Sequence, residues 1–336
     1  MPATFPKHGA IYAKELADDL AGQGFSEAEI FKGSGLTAAA LEPDKPVTGF
    51  DRIAAFFEHA AQLTGDGILG FNRGQIREMR SSGLISYVGV SSPTVLDLIQ
   101  NIARYRRVFS DALELDSGTL DVDGVLKWHF GIPTQINHRQ FSEFGISGLM
   151  HAMRQAAAND FCPELVTFSH ARNANTDKFE QYFGCDVQFG ARDNSCRFRA
   201  KDLALPLATA DDELYKVLRN CCEQSLQDKS HNTPLLIVEV ERAISDRLTK
   251  GEVTQDDVAR ALGMSARTLS RRLADEGTTF FQTLEGLRKA LAMNYLRDSD
   301  LTLAEIGFLL GYASLSSLNH AFKRWTGQTP GQFRDT

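Results

Sequence analysis

The chain is poor in the features that usually announce chemistry. Its five cysteines, Cys162, Cys185, Cys196, Cys221 and Cys222, are an odd set with no Cys-x-x-Cys pair. That pattern argues against a disulfide framework and against a cysteine zinc site; reduced thiols packing as small hydrophobes are expected. No run approaches the roughly 18 to 20 apolar residues of a membrane span, and MPATFPKHGAIYAKELADDL lacks the apolar stretch of a secretory leader. No membrane partner and a cytoplasmic location are therefore expected. The dinucleotide, P-loop, HExxH and GxSxG patterns are missing. His59, His129, His138, His151 and His170 lie far apart without ligand spacing. The expectation is a protein with no catalytic residues, no metal and no cofactor, and so not an enzyme.

An excess of positive charge is also missing: the chain carries a formal net charge of −7. Divided at residue 231, the C-terminal part holds 13 Lys and Arg against 13 Asp and Glu, and the preceding part holds 23 against 30. A bulk polyanion binder is strongly basic, so any nucleic-acid site here must be a local patch in the neutral part. A length of 336 residues exceeds what one core usually supports, and 43% hydrophobic with 24% charged residues is an ordinary globular composition. Two domains are predicted.

What is present is a repeat. TQDDVARALGMSARTLSRRL (254 to 273) superimposes on TLAEIGFLLGYASLSSLNHAF (302 to 322) at an offset of 48, with one inserted residue after the glycine. Thr254 and Thr302 begin each copy as N-caps, with Asp257 or Glu305 three residues on in a capping box. Val258 with Leu262, and Ile306 with Leu310, supply a buried helical pair. Gly263 and Gly311 fit a left-handed helix end. Ser265 and Ser314 then cap second helices whose inward residues are Leu269 and Leu273, or Leu318 and Phe322. Helix, glycine turn, helix is the helix-turn-helix signature.

At 100° per residue, these inward pairs leave Arg267 and Arg271 outward in the first copy, with Ser270 beside them. The second copy leaves Ser316, His320 and Lys323 outward, with Asn319 beside them. Such faces are rich in donors for base edges and phosphates. A face that is simply solvated is the alternative for one helix, and two copies in matched register argue against it. Leu284, Leu287, Leu291 and Tyr295 give the segment between the copies a helical stripe. About 18 residues span roughly 27 Å, and two readers on such a strut suit successive turns of a duplex roughly 34 Å apart.

Residues 235 to 336 resemble the DNA-binding domain of AraC/XylS-type transcriptional regulators. The closing pattern of that family is represented by Gly311, Tyr312, Leu318, Phe322, Lys323, Gly327, Thr329, Pro330 and Phe333. The resemblance implies base-reading positions at Arg267, Ser270 and Arg271 in the first unit, and at Leu315, Ser316, Ser317, Asn319 and His320 in the second. Lys323 or Arg324 lies along phosphates on this reading, and Thr329 with Pro330 caps the last helix. Members commonly carry arginine where this chain has His320. Neutral imidazole has one donor and one acceptor and no fixed charge, which makes the second reader the weaker one.

The first two hundred residues mix helix and strand signals. TVLDLIQNIARYRRVF (94 to 109) reads as a helix with Leu98, Ile102, Tyr105 and Phe109 inward. LDVDGVLKWHF (120 to 130) reads as a hairpin around Asp123-Gly124, FSEFGISGLMHAMRQAAAND as a helix, and ELVTFSHA and CDVQFG as strands. Arg106 sits at the margin of an apolar face, where it either clamps an anionic effector or pairs with an internal carboxylate. Leu214, Leu218 and Cys221 lie on one face of a helix before the polar stretch QDKSHNTP; it is an interdomain helix and linker contributing to dimerisation, or a helix packed on its own domain.

SSPTVLDLIQNIARYRRVFSDALEL and FEQYFGCDVQFGARDNSCRF resemble the arabinose-binding-like N-terminal effector domain of a subgroup of the same family. A sensor and dimerisation role is what this implies, with contact to RNA polymerase in activation. The expected architecture is an α+β effector-binding and dimerisation domain over 1–205, an interdomain helix and linker over 206–234, and an all-α domain over 235–336. The last contains helix-turn-helix units at about 254–273 and 302–325 joined by a long helix. The expected function is a sequence-specific DNA-binding regulator, an activator controlled by a small molecule, with double-stranded DNA, RNA polymerase, the effector and a second copy as partners. The rival classes are an N-terminal enzyme addressed to DNA and an architectural DNA protein, whose binding follows salt and ignores sequence.

Overall fold

The computed structural model describes residues 5–42, 47–78, 80–227, 236–249 and 253–334. Most of the polar stretch QDKSHNTP lies outside the described residues. The N-terminal part is mixed α and β, and the C-terminal part is helical.

Two short strands, β1 (Lys7–Gly9) and β2 (Val47–Gly49), pair antiparallel near the start of the chain. The main sheet has five strands: β3 (Leu113–Asp116), β4 (Val125–Phe130), β5 (Leu165–Phe168), β6 (Asp186–Phe189) and β7 (Asn194–Arg197), in the order β3-β4-β7-β5-β6. Only β5 and β6 run parallel. On β4 the alternation is strict: Leu126, Trp128 and Phe130 are buried, while Lys127 and His129 are exposed. That buried face meets a 19-residue central helix, Arg139–Ala157, where Phe141 packs on Phe130 and the Trp128 indole donates to Ser142 at 3.2 Å.

A second helix, Leu69–Gln75, lies unusually close to the central helix. A Cβ on Gly70 would stand 1.9 Å from the Gln140 carbonyl oxygen, and one on Gly74 1.9 Å from the Ser147 hydroxyl. Only glycine at these two places permits the approach, which fixes where the chain leaves this helix at Arg77.

The expected hairpin over 120 to 130 is corrected. Leu120–Asp123 is a single helical turn with Leu120 buried, and Gly124, at φ +70°, ends that turn rather than joining two strands. The carboxylate of Asp123 accepts from the Val125 amide at 2.9 Å, and a Cβ on Gly124 would meet the Phe198 carbonyl oxygen at 2.2 Å. The Asp-Gly pair does reverse the chain, but β4 takes β3 as its partner, with Leu113 opposite Phe130.

The helix predicted over 94 to 109 is Val95–Tyr105 followed by a 3-10 turn, Arg106–Val108. The helix before the linker, Asp212–Gln227, packs on the N-terminal domain, and its buried face is also corrected. Tyr215, Leu218, Cys222 and Leu226 pack toward Val88 and Tyr105, leaving Leu214, Val217 and Cys221 exposed. Asn101 and Tyr105 explain the rotation: they bond to Tyr215 and Glu223, turning the Tyr215 side inward.

The C-terminal part contains the helices Leu236–Leu248, Gln255–Ala261, Ala266–Asp275, Phe280–Asp298, Leu303–Leu309, Leu315–Thr326 and Pro330–Arg334. Their apolar residues form two clusters, around Leu269 and Leu273 and around Leu318 and Phe322, with Leu291 of the long connecting helix touching both. The apolar clusters of the N-terminal part remain separate from these. No described helix is long and apolar enough to cross a membrane.

Candidate nucleic-acid interface and effector cavity

Each helix-turn-helix unit is built from local signals. The hydroxyls of Thr254 and Thr302 accept from the amides of Asp257 and Glu305 at 3.2 Å, and the Thr302 amide donates in turn to the Glu305 carboxylate at 2.7 Å. Gly263 and Gly311 take φ of +67° and +71°. Ser265 and Ser314 accept from the amides of Thr268 and Ser317, starting the second helices. Gly311 is held further: the Arg288 guanidinium of the connecting helix donates to the Leu310 carbonyl at 3.0 Å, and a Cβ on Gly311 would lie 2.5 Å from the Leu248 carbonyl oxygen.

Leu269, Leu273, Leu318 and Phe322 are fully buried. Their burial turns Arg267, Ser270 and Arg271 outward on the first reader helix, Ala266–Asp275. On the second, Leu315–Thr326, Leu315, Ser316, Ser317, His320 and Lys323 are exposed and Asn319 is half-buried. Arg267 and Arg271 pair with no carboxylate among the described residues. The Ser270 hydroxyl accepts from the Gln255 amide at 2.6 Å. Arg324 pairs with Glu285, which also accepts the Trp325 indole at 2.8 Å; this guanidinium braces the reader on the connecting helix. Thr329 and Gln332 exchange capping bonds at the start of the last helix.

The N-terminal domain holds a partly open cavity of about 110 Å³. Its floor is Leu113, Leu115, Leu126, Trp128 and Phe130 of the sheet, and its roof is Phe141, Ser142, Phe144 and Leu149 of the central helix. His8, Tyr12, Arg77, Ser82 and Ser86 provide the polar lining. Burial depresses the His8 imidazole to about 4, so it is neutral at physiological pH. Arg106 does not line this cavity: its guanidinium donates to the Leu113 carbonyl at 2.9 Å, to Ala103 at 3.0 Å and to the Glu114 carboxylate. The internal pair, rather than a free clamp, is what the structure contains at Arg106. Arg77 was missed in sequence because nothing local marks it; the GFNRG spacing of Gly70 and Gly74 was the available signal.

The first turn of the central helix also carries the junction between the domains. Arg139 pairs with Asp298, the last residue of the connecting helix, at 2.6 Å. Just before it, the Thr134 amide and hydroxyl donate to Glu241 at 2.6 and 2.9 Å. Arg192 reaches Asp246 at 2.9 Å and Asn173 reaches Asp300 at 3.4 Å. Burial raises Glu241 to about 7 against the two Thr134 donors. Beneath the Arg139 pair, burial likewise raises Glu58 to about 7 although the Gln140 amide donates to it. Glu143, where burial pushes upward, is nevertheless lowered by His170, Arg172 and Arg139. The junction is thus polar, and burial there makes Glu241 hold its proton more tightly than an exposed carboxylate. Among the described residues, no cluster of side chains suited to a metal ion is present.

These features define a class: a tandem helix-turn-helix protein whose N-terminal domain has a partly open, largely apolar cavity. Comparison with known proteins agrees. Residues 24–207 match the family described as the arabinose-binding domain of AraC transcription regulator, N-terminal, and residues 258–336 match a helix-turn-helix domain family. The chain is 28% identical over 333 residues to the ornithine utilization regulator of Pseudomonas aeruginosa, covering 96% of this chain and 95% of that one. It is 27% identical over 306 residues to the HTH-type transcriptional regulator VirS of Mycobacterium tuberculosis, covering 89% and 82%. The crystal structure of the transcriptional regulator CdpR from Pseudomonas aeruginosa aligns over 97% of this chain and 98% of that one, at 22% identity and a TM-score of 0.43. The protein belongs to the AraC family of transcriptional regulators. It is a DNA-binding regulator with an N-terminal domain of the ligand-binding type.

Proposed function

We propose that this regulator is a cytoplasmic activator in which a small molecule in the N-terminal cavity controls how the two readers are held. Arg267, Ser270 and Arg271 enter one major groove. Leu315, Ser316, Ser317, Asn319 and His320 enter the next, with Lys323 on the phosphates. The observation that carries this reading is the central helix, whose residues from Phe141 to Leu149 roof the cavity while Arg139, two residues earlier, grips the connecting helix through Asp298. An effector controls the readers only if it binds one domain arrangement more tightly than another. A polar junction without a shared apolar cluster is the kind that separates at modest cost. The exposed edge of Leu214, Val217 and Cys221 supports pairing with a second copy, and RNA polymerase is the partner in activation.

Footprinting of the full-length protein on the DNA flanking its own gene tests this. Two protected grooves about ten base pairs apart are expected. Binding that ignores sequence and follows salt alone would reduce the protein to an architectural factor.

A further inference from the structure

The half-buried arginines of this protein follow a pattern. Arg106 has Glu114, Arg139 has Asp298, Arg172 has Glu143, and Arg154 has the carbonyls of Phe161, Tyr182 and Phe183. Arg77 breaks it. Its guanidinium lies 5.1 Å from the Tyr12 ring centre and 5.6 Å from that of Phe144. It also packs on the central helix, where a Cβ on Gly148 would stand 3.0 Å from it. Its Nε is buried without an acceptor, and no carboxylate among the described residues pairs with it. Glu15 and Glu78 border the outer cleft that Arg77 also lines, without an ion pair to it.

We infer that the N-terminal cavity is a monocarboxylate site, with Arg77 as the counter-ion and a compact apolar body of the ligand against Trp128, Leu126 and Phe144. This rests on the reading of the cavity as the effector site. Aromatic faces and the Tyr12 hydroxyl attract a cation without neutralising it, so this half-buried guanidinium still lacks an anion. A carboxylate meets the planar fork with two parallel bonds; the Tyr12 ring lies beside Arg77 and its hydroxyl bonds to that of Ser82, and Ser86 also lines the cavity. The ligand carries one negative charge, because the described lining has one cationic side chain and His8 is neutral. Its body is small. A dry closed apolar cavity of about 150 Å³ holds benzene; the 110 Å³ here is somewhat smaller but partly open, which suits a body of roughly five or six carbon atoms with the carboxylate at the Arg77 wall.

The test titrates the full-length protein with benzoate and hexanoate, and with benzamide and hexanamide, reading tryptophan fluorescence and thermal unfolding. Trp128 lines the cavity and reports occupancy. The acids are expected to quench it and raise the unfolding temperature, with the amides binding roughly ten- to a hundredfold more weakly. Arg77→Met should make acid and amide equal, and Arg77→Lys should keep the preference for acid. If Arg77→Met does not fold, the acid-to-amide ratio of the natural chain and of Arg77→Lys still decides. Amides that match the acids would overturn the carboxylate assignment and leave the cavity an effector site. Acids that bind without changing operator affinity in a gel shift would overturn the effector reading and leave the ligand class standing. Silence from all four compounds overturns the inference itself.

Discussion

The first reader helix exposes Arg267, Arg271 and Arg272, whereas the second exposes Leu315, Ser316, Ser317 and His320, with Lys323 and the Glu285-paired Arg324 as its cations. The frames beneath them are alike in their threonine caps, left-handed glycines and serine caps. The second unit spends Arg324 on Glu285 and needs Arg288 to hold its turn. The first unit instead uses Glu276, whose carboxylate accepts from the amides of Leu236 and Ile237 that open the domain. A duplicated frame has thus kept its folding chemistry and varied its surface. On the proposed reading, the first reader supplies bidentate guanidinium contacts, and the second a softer, hydroxyl-rich surface. Each unit also has its own tether to the N-terminal domain, Glu241 to Thr134 for the first and Asp298 to Arg139 for the second.

The comparison breaks most completely in the core. Phe322→Ala should cost about 3 to 5 kcal/mol and remove the second footprint in DNase protection while the first remains, because Leu269 and Leu273 pack in a different cluster. Loss of both footprints would show that Leu291 couples the units into one. Next comes Arg271→Ala, which should lower discrimination at one half-site by roughly 1 to 3 kcal/mol in competition gel shifts. A uniform loss across sequences would make Arg271 a phosphate contact.

The tethers give a subtler contrast. Glu241 in its docked position stands at about 7, above the ordinary 4.5, so the docked form holds its proton better than the free one. Docking is therefore strongest at low pH and weakens as pH rises through about 7. Small-angle scattering from pH 5 to pH 8 should show the domains separating, and Glu241→Gln should flatten most of that change. Glu58, raised in the same direction under the other tether, leaves a residual slope. The smallest effect expected is His320→Arg, a severalfold gain in affinity through a phosphate or guanine contact. Equal or weaker binding in a salt-titrated gel shift would remove the idea that imidazole makes the second reader the weaker.

Much of the C-terminal domain was legible because its signals are local. Caps, glycine turns and buried pairs at i and i+4 lie within one or two turns of each other, so the repeat fixes both the frame and its outward face. The N-terminal domain was legible by element type and less by arrangement. Asp123-Gly124 marks a reversal, but the strand that pairs with β4 was set by register with Leu113–Asp116. Leu214, Leu218 and Cys221 satisfy helical spacing, yet hydrogen bonds from Asn101 and Tyr105 decided which side was buried.

The sequence by itself determined two helix-turn-helix readers, a mixed α and β partner domain and the family. Tertiary structure alone decided the cavity, its unpaired arginine and the junction. Gly70 lets one helix touch another at Gln140, seventy residues away, and that contact delivers Arg77 to the cavity wall. Periodicity records which face of a helix is buried; it does not record what the face meets. Sites assembled from such long-range approaches have no local pattern to read.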